Sequence, residues 1–413
     1  MHFNTLLLVI SASSVLSFPT KPQPIHLPLQ FIKSKRLTKR DIVVPLIEDV
    51  DLSELAVKVQ IGTPAQEFLL LFDTGSADTW IPSSECSPSN GCPAFLNHFN
   101  TSASSTYEAL QDEFLITYGI GSASGHYFKD TMSFVINDQE KITVNQQTLA
   151  TVNNAVGPIS DQNQETDVDH IILDGILGAG LPSGTVRYLQ DKGPKYDPFP
   201  ISLYKAGLIP NPVFSISMNQ DKGKLILGGI DTEGISEKFV YTDLVNSSSG
   251  PSRWSINVEG LQFHNHKAVD KSRNFKFNQG TPFGIDTGSN FMYLPRALAN
   301  DLAVSITSNG TFALNEDGVF TIDCQFQSSL DSVNIYFKSS IDHNNTNINI
   351  PVSQLISKRD SDGQCLFLFI PSDDKFILGN MILRQFVTVF DFGDIPRIGF
   401  APSKFPPLLI TGD

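Results

Sequence analysis

Two short segments carry the residues best suited to acid–base chemistry. Leu70-Leu71-Phe72-Asp73-Thr74-Gly75-Ser76 and Phe283-Gly284-Ile285-Asp286-Thr287-Gly288-Ser289 place their aspartates 213 residues apart. In each, apolar residues run directly into a carboxylate, which is costly to bury without partners. Gly75 and Gly288 permit a tight turn that brings backbone N–H groups to the acid. Thr74, Ser76, Thr287 and Ser289 add hydroxyls able to donate or accept. Two such loops, one per half-chain, suggest carboxylates facing each other across a pseudo-twofold axis. Carboxylates within about 3 Å of each other do not both ionise easily and share a proton. The shared state holds one base and one acid. The base takes a proton from water while the acid polarises a carbonyl, which adds water to a peptide bond without a metal or a covalent intermediate. One Asp-Thr-Gly turn is weak evidence for this chemistry; two with matched flanks are specific.

The elements that must position these loops read as strands. Ala56-Val57-Lys58-Val59-Gln60-Ile61 alternates, Gly62-Thr63-Pro64 turns, and Glu67–Phe72 leads into Asp73. A second echo supports duplication: Ile176-Leu177-Gly178 and Ile377-Leu378-Gly379 follow the first and second aspartates. A buried strand crossing behind each loop needs such a sequence, so a duplicated, bilobal chain is the simplest account. Helical periodicity is confined to 296–305 and 380–386. With 30 Phe, 29 Gly, 25 Pro and 17% charged residues, the composition fits an all-β protein with a large aromatic core. Ile116-Thr117-Tyr118-Gly119-Ile120-Gly121 reads as a hairpin tip. Its glycine spacing misses a phosphate-binding loop, and no helix pattern follows. Neither a GxSxG elbow nor an HExxH motif occurs.

The 413-residue chain has a formal net charge of −14. Its first forty residues hold six basic residues and no acid, which leaves 23 basic against 43 acidic residues in the remainder. That acidic body excludes nucleic acid as an expected partner. Residues 1–17 read as a secretory signal, with Leu6-Leu7-Leu8-Val9-Ile10 opening its apolar segment. Residues 18–40 read as a basic, removable pro-segment ending at Lys39-Arg40, with a basic arm of no inhibitory role as the alternative. No later run reaches the length of a membrane span. In an oxidising compartment the simplest cysteine pairing is Cys86–Cys92 and Cys324–Cys365; zinc binding is the alternative, although no CxxC pairs with a second ligand cluster. His264 and His266 read as a solvated strand, and no metal is expected. Asn100, Asn246, Asn309 and Asn344 open glycosylation sequons.

These segments resemble the pepsin-like aspartic endopeptidases, family A1, from about Glu54 to Ala401. The resemblance rests on Asp73-Thr74-Gly75-Ser76 with Trp80 downstream, Ile116-Thr117-Tyr118-Gly119, Asp174-Gly175-Ile176-Leu177-Gly178 and Val213-Phe214-Ser215. It continues through Leu227-Gly228-Gly229-Ile230-Asp231, Asp286-Thr287-Gly288-Ser289 and Phe376-Ile377-Leu378-Gly379-Asn380. Finer stretches, such as Gln146-Gln147-Thr148-Leu149-Ala150 and Phe390-Asp391-Phe392-Gly393, are similar to the secreted mucorpepsin-like proteases of fungi. The resemblance implies a bilobal all-β fold with lobes 41–229 and 230–413 around a cleft. It implies Asp73 and Asp286 as the catalytic pair, Thr74 and Thr287 as cross-links, and Ser76 and Ser289 as carboxylate supports. Tyr118, Gly119 and Ile120 would form a flap over an extended peptide, with Trp80 bracing Tyr118. Ile120 stands where many members carry a hydroxyl residue, and the pro-segment is shorter than is usual. Also implied are cleavage between bulky apolar residues at acid pH, synthesis as a zymogen, inhibition by pepstatin-type compounds, no cofactor, a monomer, and secretion, with the vacuole or cell wall as alternatives. Two rivals remain: an inactive pepsin-like binding protein and a two-carboxylate glycosidase.

Overall fold

The structure is a computed structural model. It describes the backbone of 25–33 and residues 53–404, apart from 138–139, 163–171, 218–222, 249, 309, 317 and 360–362. The signal segment, most of the pro-segment and Asn309 lie outside the described residues. The first half supplies ten strands: β1 (Ile25–Lys33), β2 (Ser53–Ile61), β3 (Gln66–Asp73), β4 (Trp80–Pro82), β5 (Glu108–Thr117), β6 (Ser122–Asn137), β7 (Glu140–Val156), β8 (Gly175–Gly178), β9 (Val213–Ser217) and β10 (Gly223–Leu227). The second half continues with β11 (Val240–Asp243), β12 (Ser255–His264), β13 (Arg273–Ile285) and β14 (Met292–Pro295), followed by further short strands. Strands dominate and helices are few, as the composition predicts for an all-β protein and the resemblance implies for a pepsin-like fold.

One thirteen-stranded sheet contains all ten first-half strands and is joined by β11, Arg397–Pro402 and Phe386–Asp391 from the second half. A seven-stranded sheet carries β12, β13 and β14, and a four-stranded sheet completes the second half. β1 lies between β10 and β2, antiparallel to both.

The duplication is visible around each aspartate. β8 runs parallel to β3 with Asp73 opposite Gly178, and it meets β4 at Trp80. In the second half, Ile377–Leu378 runs parallel to β13, with Ile285 opposite Leu378, and meets β14 at Met292. Both Ile-Leu-Gly segments therefore cross behind the aspartate loops, as the sequence predicts. Apolar residues fill these strands because both faces are covered.

The aromatic residues are core. Phe72 meets Phe214 edge-on at 5.7 Å, Phe214 stacks on Phe390 at 4.7 Å, and Trp254 packs on both. This cluster draws on both halves directly beneath the site. Trp254 also donates its indole N–H to the Ala179 carbonyl at 2.9 Å.

The helix expected at 296–305 spans Arg296–Thr307, whereas that expected at 380–386 is the single turn Asn380–Leu383. The latter is cut short because Phe386–Asp391 joins the large sheet. Val186–Leu189 and Phe199–Lys205 are further helices that the periodicity did not predict; four to seven residues give little period to read. Cys86–Cys92 and Cys324–Cys365 are both disulfides, which removes the zinc reading of these cysteines. β12 ends at His264, while His266 falls in the next turn and donates its backbone N–H to Asp331. Among the described residues, no helix is long and apolar enough to cross a membrane.

Candidate active site

β3 ends at Asp73, and the chain turns at once. Gly75 N–H donates to Asp73 Oδ1 at 2.7 Å, and the Ser76 hydroxyl donates to Oδ2. The second loop repeats the arrangement, with Gly288 N–H on Asp286 Oδ1 and the Ser289 hydroxyl on Oδ2, both at 2.8 Å. The hydroxyl and glycine positions thus do within three residues what the sequence pattern requires of them.

Thr74 and Thr287 tie the loops together. Each backbone N–H donates to the other threonine's Oγ1 at 3.0 Å. Each hydroxyl then donates onward across the junction, Thr74 to the Ile285 carbonyl at 2.8 Å and Thr287 to the Phe72 carbonyl at 2.6 Å. All four bonds are buried, where an unmade bond is most costly. The result brings the carboxylates face to face. A Cβ on Gly75 would stand 2.5 Å from Asp286 Oδ1, and one on Gly288 would stand 2.5 Å from Asp73 Oδ1. Each glycine therefore makes room for the opposite loop's acid as well as turning its own.

Burial, reinforced by the neighbouring Asp286 carboxylate, pushes Asp73 up to about 7, against the pull of the Ser76 and Gly75 hydrogen bonds. Asp73 is 5% exposed, whereas Asp286 is half-buried. Asp73 therefore keeps its proton further up the pH scale than a free aspartate does.

The cleft around the pair has a volume of about 610 Å³. β5 and β6 form the predicted hairpin over it, closed by Tyr118 N–H donating to the Gly121 carbonyl at 2.9 Å, with Gly121 at φ +112°. Tyr118, Gly119 and Ile120 all line the cleft, and Ile120 is exposed. Trp80 Nε1–H donates to Tyr118 Oη at 2.8 Å, so the expected brace is present. Burial, with the nearby Asp73 charge, raises Tyr118 well above the usual phenol value and keeps it neutral. Leu71, Leu173, Ile176, Val186, Leu189 and Ile377 make much of the remaining wall apolar.

Several residues in and behind the cleft were not foreseen from the sequence. Tyr293 on β14 and Lys375 stand on the second-half wall. Asp78 is fully buried and accepts hydrogen bonds from the Tyr127 and Tyr196 hydroxyls and from Val186 N–H. Asn380 donates its side-chain amide to the Thr287 carbonyl at 2.6 Å, fixing the second loop from behind. None of them had a usable signal in the sequence, because their partners arrive by folding from distant segments. Asn100, Asn246 and Asn344 are exposed and away from the cleft lining.

A fold of duplicated β-halves with two cross-tied aspartate loops defines a class, and comparison with known proteins gives the same class. The model of the eukaryotic aspartyl protease family matches residues 54–403. The chain is 38% identical over 359 residues to a mucorpepsin of Rhizomucor miehei, covering 86% of this chain and 79% of that protein. A mucorpepsin of Rhizomucor pusillus is 36% identical over 364 residues, with 87% and 81% covered. Pepsin A of Sus scrofa is 31% identical over 366 residues, with 83% and 80% covered. This chain belongs to the eukaryotic aspartyl protease family. It is a pepsin-like aspartic-type endopeptidase and acts on peptide substrates.

Proposed function

We propose that Asp73 and Asp286 jointly activate a water that attacks the scissile carbonyl of an extended peptide. The observation that carries this reading is the mutual seating of the loops, each glycine facing the other loop's carboxylate. The ionised member takes a proton from the water as its oxygen bonds to the carbonyl carbon. The protonated member donates to the carbonyl oxygen, giving a neutral tetrahedral diol. The aspartate that now carries the proton gives it to the leaving nitrogen while the other takes a proton from a diol hydroxyl; the C–N bond breaks to an amine and a carboxylic acid, and the pair again holds one proton. Shared-proton chemistry of this kind is the general property for which aspartic proteases are the standard example.

In this reading Tyr118, Gly119 and Ile120 cover the peptide and Trp80 holds Tyr118 in place. The apolar wall supports a preference for bulky apolar residues around the cut bond, and pepstatin-type compounds would occupy the same cleft. The protein acts as a monomer. It is made with a signal at 1–17 and a pro-segment at 18–40, is secreted, and matures by cleavage after Arg40 into lobes 41–229 and 230–413. Such cleavage removes β1 from between β2 and β10. Two strand edges are then bared, so maturation requires another segment to cover them.

The test is digestion of denatured haemoglobin across pH 2–8 by protein freed of residues 1–40, with and without pepstatin. Acid-dependent cleavage blocked by pepstatin is the expected result. Folded, processed protein without cleavage at any pH would overturn the proposal in favour of an inactive peptide-binding module.

A further inference from the structure

Two cations line the cleft among the described residues, Arg253 and Lys375. Arg253 is exposed, whereas Lys375 is half-buried. The turn carrying Lys375 is fixed on both sides of the peptide unit. Ser372 Oγ accepts from Lys375 N–H at 3.0 Å and donates to the Lys375 carbonyl at 3.1 Å. The backbone of Lys375 is therefore held in place, and its side chain lines the cleft. Its ammonium stands 5.9 Å from the centroid of the Tyr293 ring and faces the hairpin tip. A Cβ on Gly119 would lie 2.7 Å from Nζ.

The charged and titratable neighbours can be named element by element. The second-half wall contributes Tyr293, with Asp286 in the adjoining loop. Burial, with the Asp286 charge, raises the Tyr293 phenol, so that group stays neutral. The lysine's own turn contributes Asp373, which pairs with Arg296 at 3.7 Å, and Asp374, which is exposed. The hairpin tip offers Tyr118, neutral, and the backbone of Gly119. Among the described residues, none forms an ion pair or a side-chain hydrogen bond with the Lys375 ammonium.

An ammonium held this way is still hydrated in the free protein. A peptide seated under the hairpin removes that water, which is costly unless the peptide brings an opposite charge. We propose that Lys375 is a specificity-determining residue that selects peptides bearing an Asp or Glu side chain close to the scissile bond. The carboxylate would sit between the Tyr293 ring and the Gly119 tip. The inference rests on the endopeptidase reading above and deepens it. It also carries its own pH signature. A substrate glutamate ionises near about pH 4.3, so the preference grows as pH rises through that value and fades below it.

The experiment uses mature protein and a set of peptide pairs, identical except for Glu or Gln at each position around one cut site. The ratio of kcat/KM within each pair is measured at about pH 3 and about pH 5.5, on either side of the glutamate value. At one position the ratio should favour Glu roughly fivefold or more at the higher pH and approach one at the lower. Lys375→Met should abolish that ratio, Lys375→Arg should keep it, and Lys375→Glu should invert it towards a Lys-bearing peptide. Because each ratio is internal to one variant, a change in overall activity does not disturb the reading. Cleavage with no Glu preference, or with one that survives Lys375→Met, overturns this inference alone. Failure to cleave any peptide overturns the endopeptidase reading and this inference with it.

Discussion

In the first aspartate loop, Gly75 N–H and the Ser76 hydroxyl close on Asp73; in the second, Gly288 N–H and the Ser289 hydroxyl close on Asp286. The threonine bonds between them are reciprocal to within a few tenths of an ångström. Their surroundings differ. Asp73 is nearly sealed, and the β5–β6 hairpin, Trp80 and Tyr118 all belong to its half. Asp286 is half-buried, and its loop is held from behind by Asn380, where the first loop has Ala179 donating its backbone N–H to the Asp73 carbonyl. The local motif fixes the geometry of each loop, while the cover above it fixes the electrostatics. A symmetric frame therefore holds an asymmetric pair.

The strongest way to break this comparison is to remove one acid at a time. Asp73→Asn and Asp286→Asn should each lower kcat/KM by roughly 10³-fold or more, because the pair acts as a unit. Both variants should keep the wild-type circular dichroism spectrum, since the amide oxygen still accepts from the glycine N–H and its NH2 can donate to the serine hydroxyl oxygen, which rotates to accept. Substantial activity in either variant would mean that one carboxylate suffices.

The sealed environment predicts a pH dependence of stability. Asp73 stands at about 7, and burial also raises Asp78 and Asp174. For a group with a raised folded value, the native state holds its proton longer than the unfolded chain. That stabilisation is complete below about pH 4 and is lost as pH rises through the folded value. Asp73 alone accounts for at most about 4 kcal/mol between those limits. Asp231 runs the other way. Burial pushes it up, but hydrogen bonds from Ser217 and Gly234 and the Lys224 charge outweigh that and hold it low, so its contribution is lost only in strong acid. Calorimetry of the mature protein should show Tm falling from about pH 4 to about pH 7, and Asp73→Asn should flatten part of that fall. A Tm constant over this interval would contradict the sealed state of Asp73.

The glycines test the mutual seating. A methyl group on Gly75 meets the Asp286 carboxyl, and one on Gly288 meets the Asp73 carboxyl, at 2.5 Å in both cases. Backbone φ is not at issue at either position, so the effect isolates the spacing of the pair. Gly75→Ala and Gly288→Ala should each cost roughly 10²-fold in kcat/KM, as expected when reacting groups move by about 1 Å. Crystal structures of the variants would show which loop yields. An unaltered rate in both would show that the carboxylates tolerate a wider separation.

How much of this was legible in the sequence follows the distance over which each feature is decided. The aspartate loops were readable because their bonds close within three residues. Both Ile-Leu-Gly crossings were readable because a strand buried on two faces must be apolar throughout. The hairpin was readable from the glycines around Tyr118. By contrast, Lys375 and Gly119 are 256 residues apart, and nothing in Asp373-Asp374-Lys375 distinguishes it from a solvated charged turn. Asp78 looked like part of a polar loop until the Tyr127 and Tyr196 hydroxyls converged on it. The insertion of β1 between β2 and β10 was hidden for the same reason: a short basic stretch with prolines does not announce its pairing partners.

The smallest effect concerns the brace that only the first half has. Trp80, opposite Ile176, corresponds to Tyr293, opposite Ile377, so the two halves match in strand position but only the first carries an indole N–H there. Trp80→Phe keeps an aromatic ring in the core and keeps the strand pairing with Ala150 and Ile176, which uses the backbone. It removes the indole N–H that donates to Tyr118 Oη. A hydrogen bond of this kind contributes about 1 kcal/mol, so kcat/KM should fall about fivefold. Tyr118→Phe removes the acceptor of the same bond. If the bond is how Trp80 acts, adding Trp80→Phe to Tyr118→Phe should change little further, and the cycle should return a coupling near the single-mutant cost. Strictly additive losses would mean that Trp80 positions the hairpin by packing alone. The asymmetry between the halves would then reside in the shape of the indole, not in its donor.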